Sequence, residues 1–262
     1  MTKIAKNRDK ILQALNSYGK LSVREVVDWL GVSEVTVRRF FGEMERDHQL
    51  LRICGGTRSL RPPAGGIYSF GHELKKRIRE KQQIGTCAAN LIAAGDRIFL
   101  DSGTTVRSCA VVLRERLERN AVTNLLMITN SLAYTDILAA SCPVFLTGGR
   151  ISPDRMELMD ADALSMLSKY HFTKALFGTD AITDRLELMT NDENTARLVR
   201  TVVANSDRVI ILADSSKIGR RSFTVSAKLD SGKYTLVTDS GVPGWFVDKL
   251  RQQGIDLIVA GS

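Results

Sequence analysis

Seven short apolar runs in the second two-thirds of the chain limit its fold more than any other feature. They are RIFLD (97–101), LLMIT (125–129), VFLTG (144–148), KALFG (174–178), RVIILAD (208–214), YTLVTD (234–239) and IDLIVA (255–260). Each has strand length, and most are separated by segments long enough for a helix. A run apolar at every position, rather than at alternate ones, is buried on both faces. Such runs joined by helices argue a parallel sheet with helices on either side, an α/β architecture. In that architecture ligands sit outside the carboxyl ends of the strands.

Those ends are polar or glycine-rich almost every time: DSGTT, TNS, TGGR, GTD and ADSSK. Ser102-Gly103-Thr104-Thr105 leaves a strand and enters a helix. Gly103 lets backbone approach a ligand, the two Thr hydroxyls can donate, and the amides of a helix start attract an anion. Strand-to-helix turns use the same residues for capping about as often. Asp101 is suited to accept hydrogen bonds from sugar hydroxyls. Asn130, Ser131, Gly148, Gly149 and Asp180 are expected at the same edge, and Lys217 would supply a cation. These residues form the candidate effector site. A surface lysine is the plainer reading of Lys217.

The first quarter differs. Residues 1–66 carry 12 Lys/Arg against 7 Asp/Glu, a local +5 out of the whole chain's +8. A small basic domain beside a nearly balanced large one suggests a polyanion partner. Ile11, Leu12 and Leu15 mark a helix over 7–17, ended by Tyr18-Gly19. Ser22-Val-Arg-Glu25 has the spacing of a capping box for a second helix through Val26, Val27 and Leu30. Gly31-Val32 makes a tight turn, and Ser33 caps a third helix running to about Arg46. A short strand at Leu50–Ile53 and a hairpin tip at Gly55-Gly56 follow. Three helices and a β-wing, with the second and third helices almost contiguous, describe a winged helix-turn-helix. The start of the third helix would then meet base edges. Arg38 or Arg39 is placed to pair with guanine, and Thr36 to contact phosphate or a thymine methyl. Val37 and Phe40 or Phe41 face the core. Ser22, Ser33, Glu34, Val35, Arg52 and Arg58 complete the candidate DNA surface, and double-stranded DNA is the expected partner.

Pro- and Gly-rich residues 61–71 read as a linker, and helical character runs from His72 to Ala94. The expected domains are therefore 1–60, a linker at 61–76, and 77–262. Cys54, Cys87, Cys109 and Cys142 lie far apart, so reduced and mostly buried thiols are expected, with no metal or other cofactor. No run approaches 18 apolar residues, and no signal-peptide core follows the basic start, so a cytoplasmic protein is expected.

LSVREVVDWLGVSEVTVRRFFGEME (21–45) and RICGG (52–56) resemble the DNA-binding signature of the DeoR family of bacterial transcription regulators. The likeness continues through Glu80-Lys81-x-x-Ile84, GDRIFLDSGTT, ITNS, TGG and DSSKIG. It implies a C-terminal domain related to sugar-phosphate isomerases and coenzyme A transferases that senses a phosphorylated sugar. It further implies a homo-oligomer acting as a repressor of a carbohydrate-use operon. The chain departs from the pattern at Phe40 (usually Asp), Cys54 (usually His) and Ala181 (usually Gly). Thr195-Ala196 stands at a Glu-Ala step and Val199 at a lysine, with Glu193 or Arg200 as possible substitutes. Two alternatives stay open: an isomerase-like enzyme, and a DNA-binding regulator whose large domain only oligomerises.

Overall fold

The computed structural model describes residues 3–18, 20–60 and 68–261, and divides the chain into units Met1–Ile67 and Tyr68–Ser262. Gly19 and residues 61–67 of the expected linker lie outside the described residues.

The first unit runs α1 (Lys3–Tyr18), β1 (Lys20–Ser22), α2 (Val23–Leu30), α3 (Glu34–Arg46), β2 (Leu50–Ile53) and β3 (Gly56–Ser59). The capping box forms: Ser22 Oγ accepts from the Glu25 amide, and Glu25 accepts from the Ser22 amide. Gly31 ends α2 at φ 63°, in the left-handed region where glycine carries no steric penalty. The turn to α3 therefore needs only three residues. Ile11, Leu15, Val26, Val37, Met44 and Leu50 form the core with both Phe40 and Phe41. β1 is an element that the sequence pattern did not reveal. It pairs with β3 in a three-stranded sheet of order β1-β3-β2. Three residues are too few to show a period.

The second unit begins with α4 (Phe70–Leu74), α5 (Ile78–Asn90), β4 (Arg97–Leu100), α6 (Thr104–Glu118), β5 (Leu126–Thr129), α7 (Thr135–Ala139) and β6 (Val144–Leu146). A hairpin of β7 (Ile151–Ser152) and β8 (Glu157–Leu158) follows, then α8 (Ala161–Leu167), β9 (Phe172–Phe177), β10 (Ala181–Ile182), β11 (Glu187–Thr190) and α9 (Glu193–Ala204). The chain closes with β12 (Ser206–Leu212), β13 (Thr224–Lys228), β14 (Tyr234–Asp239), α10 (Gly244–Gln252) and β15 (Asp256–Ala260).

All seven apolar runs are strands of one parallel sheet, in the order β15-β14-β12-β9-β4-β5-β6. Successive residues serve opposite faces. Ile98 and Leu100 pack with α5, α6 and α7, whereas Phe99 packs in the cluster of α8, α9 and α10. Burial on both sides is why the central runs show no alternation, whereas the edge strand β6 leaves Phe145 and Leu146 exposed. Gly85 lets α5 meet α6, since a Cβ there would lie 2.6 Å from the Ser108 backbone.

Two expectations need correction. The helix from His72 to Ala94 is two helices, because Arg77 sits between α4 and α5 at φ 47°. Residues 68–76, placed in the linker, belong to the large unit: Phe70 is buried and its amide donates to Asp154 O at 2.7 Å. A small antiparallel sheet, β10-β11-β13, also has no counterpart among the expected elements. Its strands are short or half-exposed and leave no clear period.

Candidate functional site

The strand order reverses direction at β4. From there the chain moves outward through β5 and β6, then returns to β9 on the other side of β4 and continues through β12, β14 and β15. The loops leaving β4 and β9 therefore diverge, and a crevice opens at their carboxyl ends. A pocket occupies this point.

Its floor is the 101–105 loop and the start of α6, faced by Gly178, Thr179 and Asp180 after β9. Gly103 is the N-cap of α6 and makes no side-chain cap bond. The first amides of a fifteen-residue helix thus open next to the pocket. Asp101 is buried and accepts from the Gly178 amide at 3.2 Å. Burial, reinforced by the charge of Glu157, pushes its carboxyl up to about 7. Asp180 is held by Thr190 Oγ1 at 3.1 Å and the Asn191 amide at 3.0 Å.

Lys81 of α5 and Lys217 stand on one wall with Asp214 and Glu73. Burial draws the Lys81 ammonium below the usual lysine range, against the pull of Glu73 and Asp214. Its Nζ donates to the backbone oxygen of Glu73, while Lys217 Nζ lies 3.9 Å from the Glu73 carboxylate. Arg155, between β7 and β8, enters from the other side. It donates to Glu157 at 2.8 Å and stacks 4.4 Å over the Tyr68 ring. Burial would lower the Arg155 guanidinium, but Glu157, Asp180 and Asp192 keep it above its ordinary value. Thr195 and Val199 are what α9 presents.

Of the candidate effector residues, Asp101, Ser102, Gly103, Thr104, Thr105, Asp180 and Lys217 line this pocket. Asn130, Ser131, Gly148 and Gly149 do not. They follow β5 and β6, on the far side of β4 from the crevice, and anchor the neighbouring hairpin instead. Asn130 O accepts from the Leu158 amide at 2.7 Å, and Ser131 Oγ accepts from the Ala133 amide at 3.1 Å. Gly149, at φ 102°, lies against Asp160, which takes the Arg150 amide. Glu193 and Arg200, considered as substitutes for the absent Glu and Lys of the family pattern, pair with each other at 2.6 Å, and neither lines the pocket. Sequence reasoning missed Tyr68, Glu73 and Arg155. Two sit in what looked like linker, and Arg155 sits in a turn with no periodic signal. Lys81 lay inside a matched motif without being assigned a role.

In the first unit, α3 sorts its residues sharply. Val37, Phe40, Phe41 and Met44 are buried; Glu34, Val35, Arg38 and Arg39 are exposed, as are Arg52 and Arg58 on the wing. Val35 is 77% exposed although apolar. Ser33 Oγ accepts from the Thr36 amide and lies 2.9 Å from the Thr36 hydroxyl. Arg38 is oriented by Glu34 at 2.8 Å, and Arg39 lies 3.8 Å from Glu43. Phe40 belongs to the core, so carboxylates on the helix itself orient the two arginines.

The four cysteines are free thiols, but only Cys109 is fully buried, and Cys54 is exposed on the wing, contrary to expectation. No helix among the described residues is long and apolar enough to cross a membrane.

Comparison with known proteins agrees with both halves. Residues 8–62 match the DeoR-like helix-turn-helix domain, and residues 76–240 match the DeoR C terminal sensor domain. The chain is similar to the HTH-type transcriptional repressor GlcR of Bacillus subtilis, 33% identical over 95% of this chain and 93% of that one. It is also similar to the lactose phosphotransferase system repressor of Streptococcus mutans, 34% identical over 88% and 90%. Among solved structures, a ribose 5-phosphate isomerase A from Methanocaldococcus jannaschii aligns over 53% of each chain at 19% identity and a TM-score of 0.40. The chain is therefore a member of the DeoR family, a DNA-binding transcription regulator with a sensor domain.

Proposed function

We propose that the protein is a cytoplasmic repressor of a carbohydrate-use operon, working as a homo-oligomer and controlled by a phosphorylated sugar in the pocket at the β4/β9 switch point. One observation carries the reading: Lys81 and Lys217 stand in the same pocket as the uncapped start of α6. Two ammonium groups and a helix N-terminus suit a phosphate. Asp101, Asp180 and the hydroxyls of Thr104, Thr105 and Thr190 suit the sugar's own hydroxyl groups. The relatives' names support the sugar-operon class.

On DNA, Arg38 and Arg39 meet guanine edges, Val35 meets a thymine methyl, and Thr36, Ser33, Ser22, Arg52 and Arg58 hold phosphates. Glu34 sets the angle of Arg38. A single winged domain reads few bases, so two copies on neighbouring half-sites give the specificity. Effector and operator each favour one arrangement of the oligomer, and their coupling is reciprocal.

A thermal-shift screen of the full chain against phosphorylated sugars, repeated with Lys217→Ala, tests the reading. The expected result is one stabilising ligand whose effect rises with concentration and drops in the variant. A flat response from folded protein would leave the large domain as an assembly module.

A further inference from the structure

Glu73 lines the pocket but is neither a phosphate ligand nor a sugar ligand in the sensor reading. Its backbone oxygen accepts from Lys81 Nζ, and its carboxylate accepts from Lys76 Nζ at 2.6 Å on one oxygen and faces Lys217 Nζ at 3.9 Å with the other. Burial alone would raise the Glu73 carboxyl, yet the hydrogen bond from Lys76 and the charges of Lys217 and Lys81 hold it below the usual range. It therefore stays an anion near neutral pH, where a phosphate bound by the same lysines would also be one. At a few ångströms two anions repel even beside those lysines, so the carboxylate weakens the hold on a phosphate.

The place of Glu73 in the chain gives this competition a consequence. It lies on the five-residue helix α4. On one side is Tyr68, stacked on Arg155, which directly follows residues 61–67 of the expected linker. On the other is Arg77, at φ 47°, a conformation that costs a non-glycine residue energy and marks a break between α4 and α5. Besides the lysine contacts, the segment is held by Phe70 and by Arg77 Nε, 3.4 Å from Asp214.

We propose that Glu73 is an internal competitor for the effector's phosphate, and that displacing it from Lys81 and Lys217 loosens the strap of residues 68–77. This rests on the sensor reading. The strap then carries pocket occupancy to the chain that leads toward the DNA-binding domain. A ligand shifts a conformational equilibrium only through contacts that differ between states, and the Glu73–lysine contacts supply that difference.

The test is isothermal titration of the full chain and of Glu73→Gln with glucose 6-phosphate and with inorganic phosphate, together with amide exchange over residues 68–77. Removing the carboxylate charge is expected to tighten binding about tenfold, the effect of roughly 1.4 kcal/mol. Ligand should speed exchange across the strap in the parent chain, and Glu73→Gln should exchange faster before any ligand is added. Binding measurable only in Glu73→Gln would support the competition equally. Equal affinity in the two chains, or a strap indifferent to ligand, would overturn this inference and leave the sensor reading standing. Binding of neither probe by either chain, both folded, would overturn this inference, while the sensor reading falls only with a flat response across the phosphorylated sugars of the thermal-shift screen. Were Glu73→Gln not to fold, Glu73→Asp decides: it keeps the charge but draws it back from Lys217, and a gain of about threefold is expected, with no gain counting against the proposal.

Discussion

The exposed face of α3 and the pocket at the β4/β9 switch point both carry cations, but they hold them in opposite ways. Arg38 and Arg39 are exposed, each beside a carboxylate on its own helix. Such pairs contribute little to stability, because water already solvates both partners and side-chain entropy opposes the contact. The arginines can turn to a polyanion at small cost. Arg155, Lys81 and Lys217 stand among carboxylates or carbonyl oxygens inside the large unit. Lys81 is buried and Arg155 and Lys217 are half-buried, and a cation drawn out of water needs such partners, since desolvation without them is costly. A ligand entering the pocket must therefore compete with the protein's own groups. The exposed face of α3 thus keeps its cations available, and the pocket holds its cations among groups that a ligand would have to displace.

The largest effect that would break this contrast comes from Arg155→Ala. It leaves Glu157, nearly fully buried, without its guanidinium. A loss of about 3–5 kcal/mol in urea unfolding is expected, against less than about 0.5 kcal/mol for Arg38→Ala. Similar losses for the two would end the distinction.

Asp101 sharpens it next. Its folded pKa, about 7, lies above the ordinary carboxyl value of 3.8, so the folded chain binds the extra proton. Its contribution to stability is full below about pH 4 and is lost as pH rises to about 7, by roughly 4 kcal/mol at most. Subtracting the pH profile of Asp101→Asn from that of the parent should isolate a decline in this window. A flat difference would mean that Asp101 is charged throughout.

The smallest effect belongs to the DNA face. Arg39→Ala is expected to weaken binding to a duplex selected from a random pool by roughly 1–3 kcal/mol and to leave the melting temperature almost unchanged. Retained affinity would show that Arg39 does not read a base.

Much of the architecture is legible in the amino-acid sequence. The seven strands, the capping box at Ser22 and Glu25, the αL glycine at 31 and the cap at Ser33 are local or periodic signals, and each sits where its pattern put it. The short elements β1, β7, β8, β10 and β11 left no trace, because they are too short to display a period and, unlike β4, β5 and β6, do not form the core of an apolar run. The break at Arg77 was hidden for a related reason, since nothing in KKRIREK marks a positive φ.

The candidate effector site was half legible. Asp101 to Thr105 follow a strand in a glycine-containing loop, and their chemistry is local. Asn130, Ser131, Gly148 and Gly149 have the same look, yet they belong to strands on the wrong side of the reversal. Sequence by itself determined that the chain forms a parallel sheet and a winged helix-turn-helix, because periodicity, caps and turns act over a few residues. Tertiary structure alone decided which strand ends converge, because that depends on strand order, to which no local pattern is coupled. It also brought Arg155 to one pocket with Tyr68 and Glu73, which lie far from it along the chain. Buried charges must find partners wherever the fold provides them, and no spacing along the sequence records where that is.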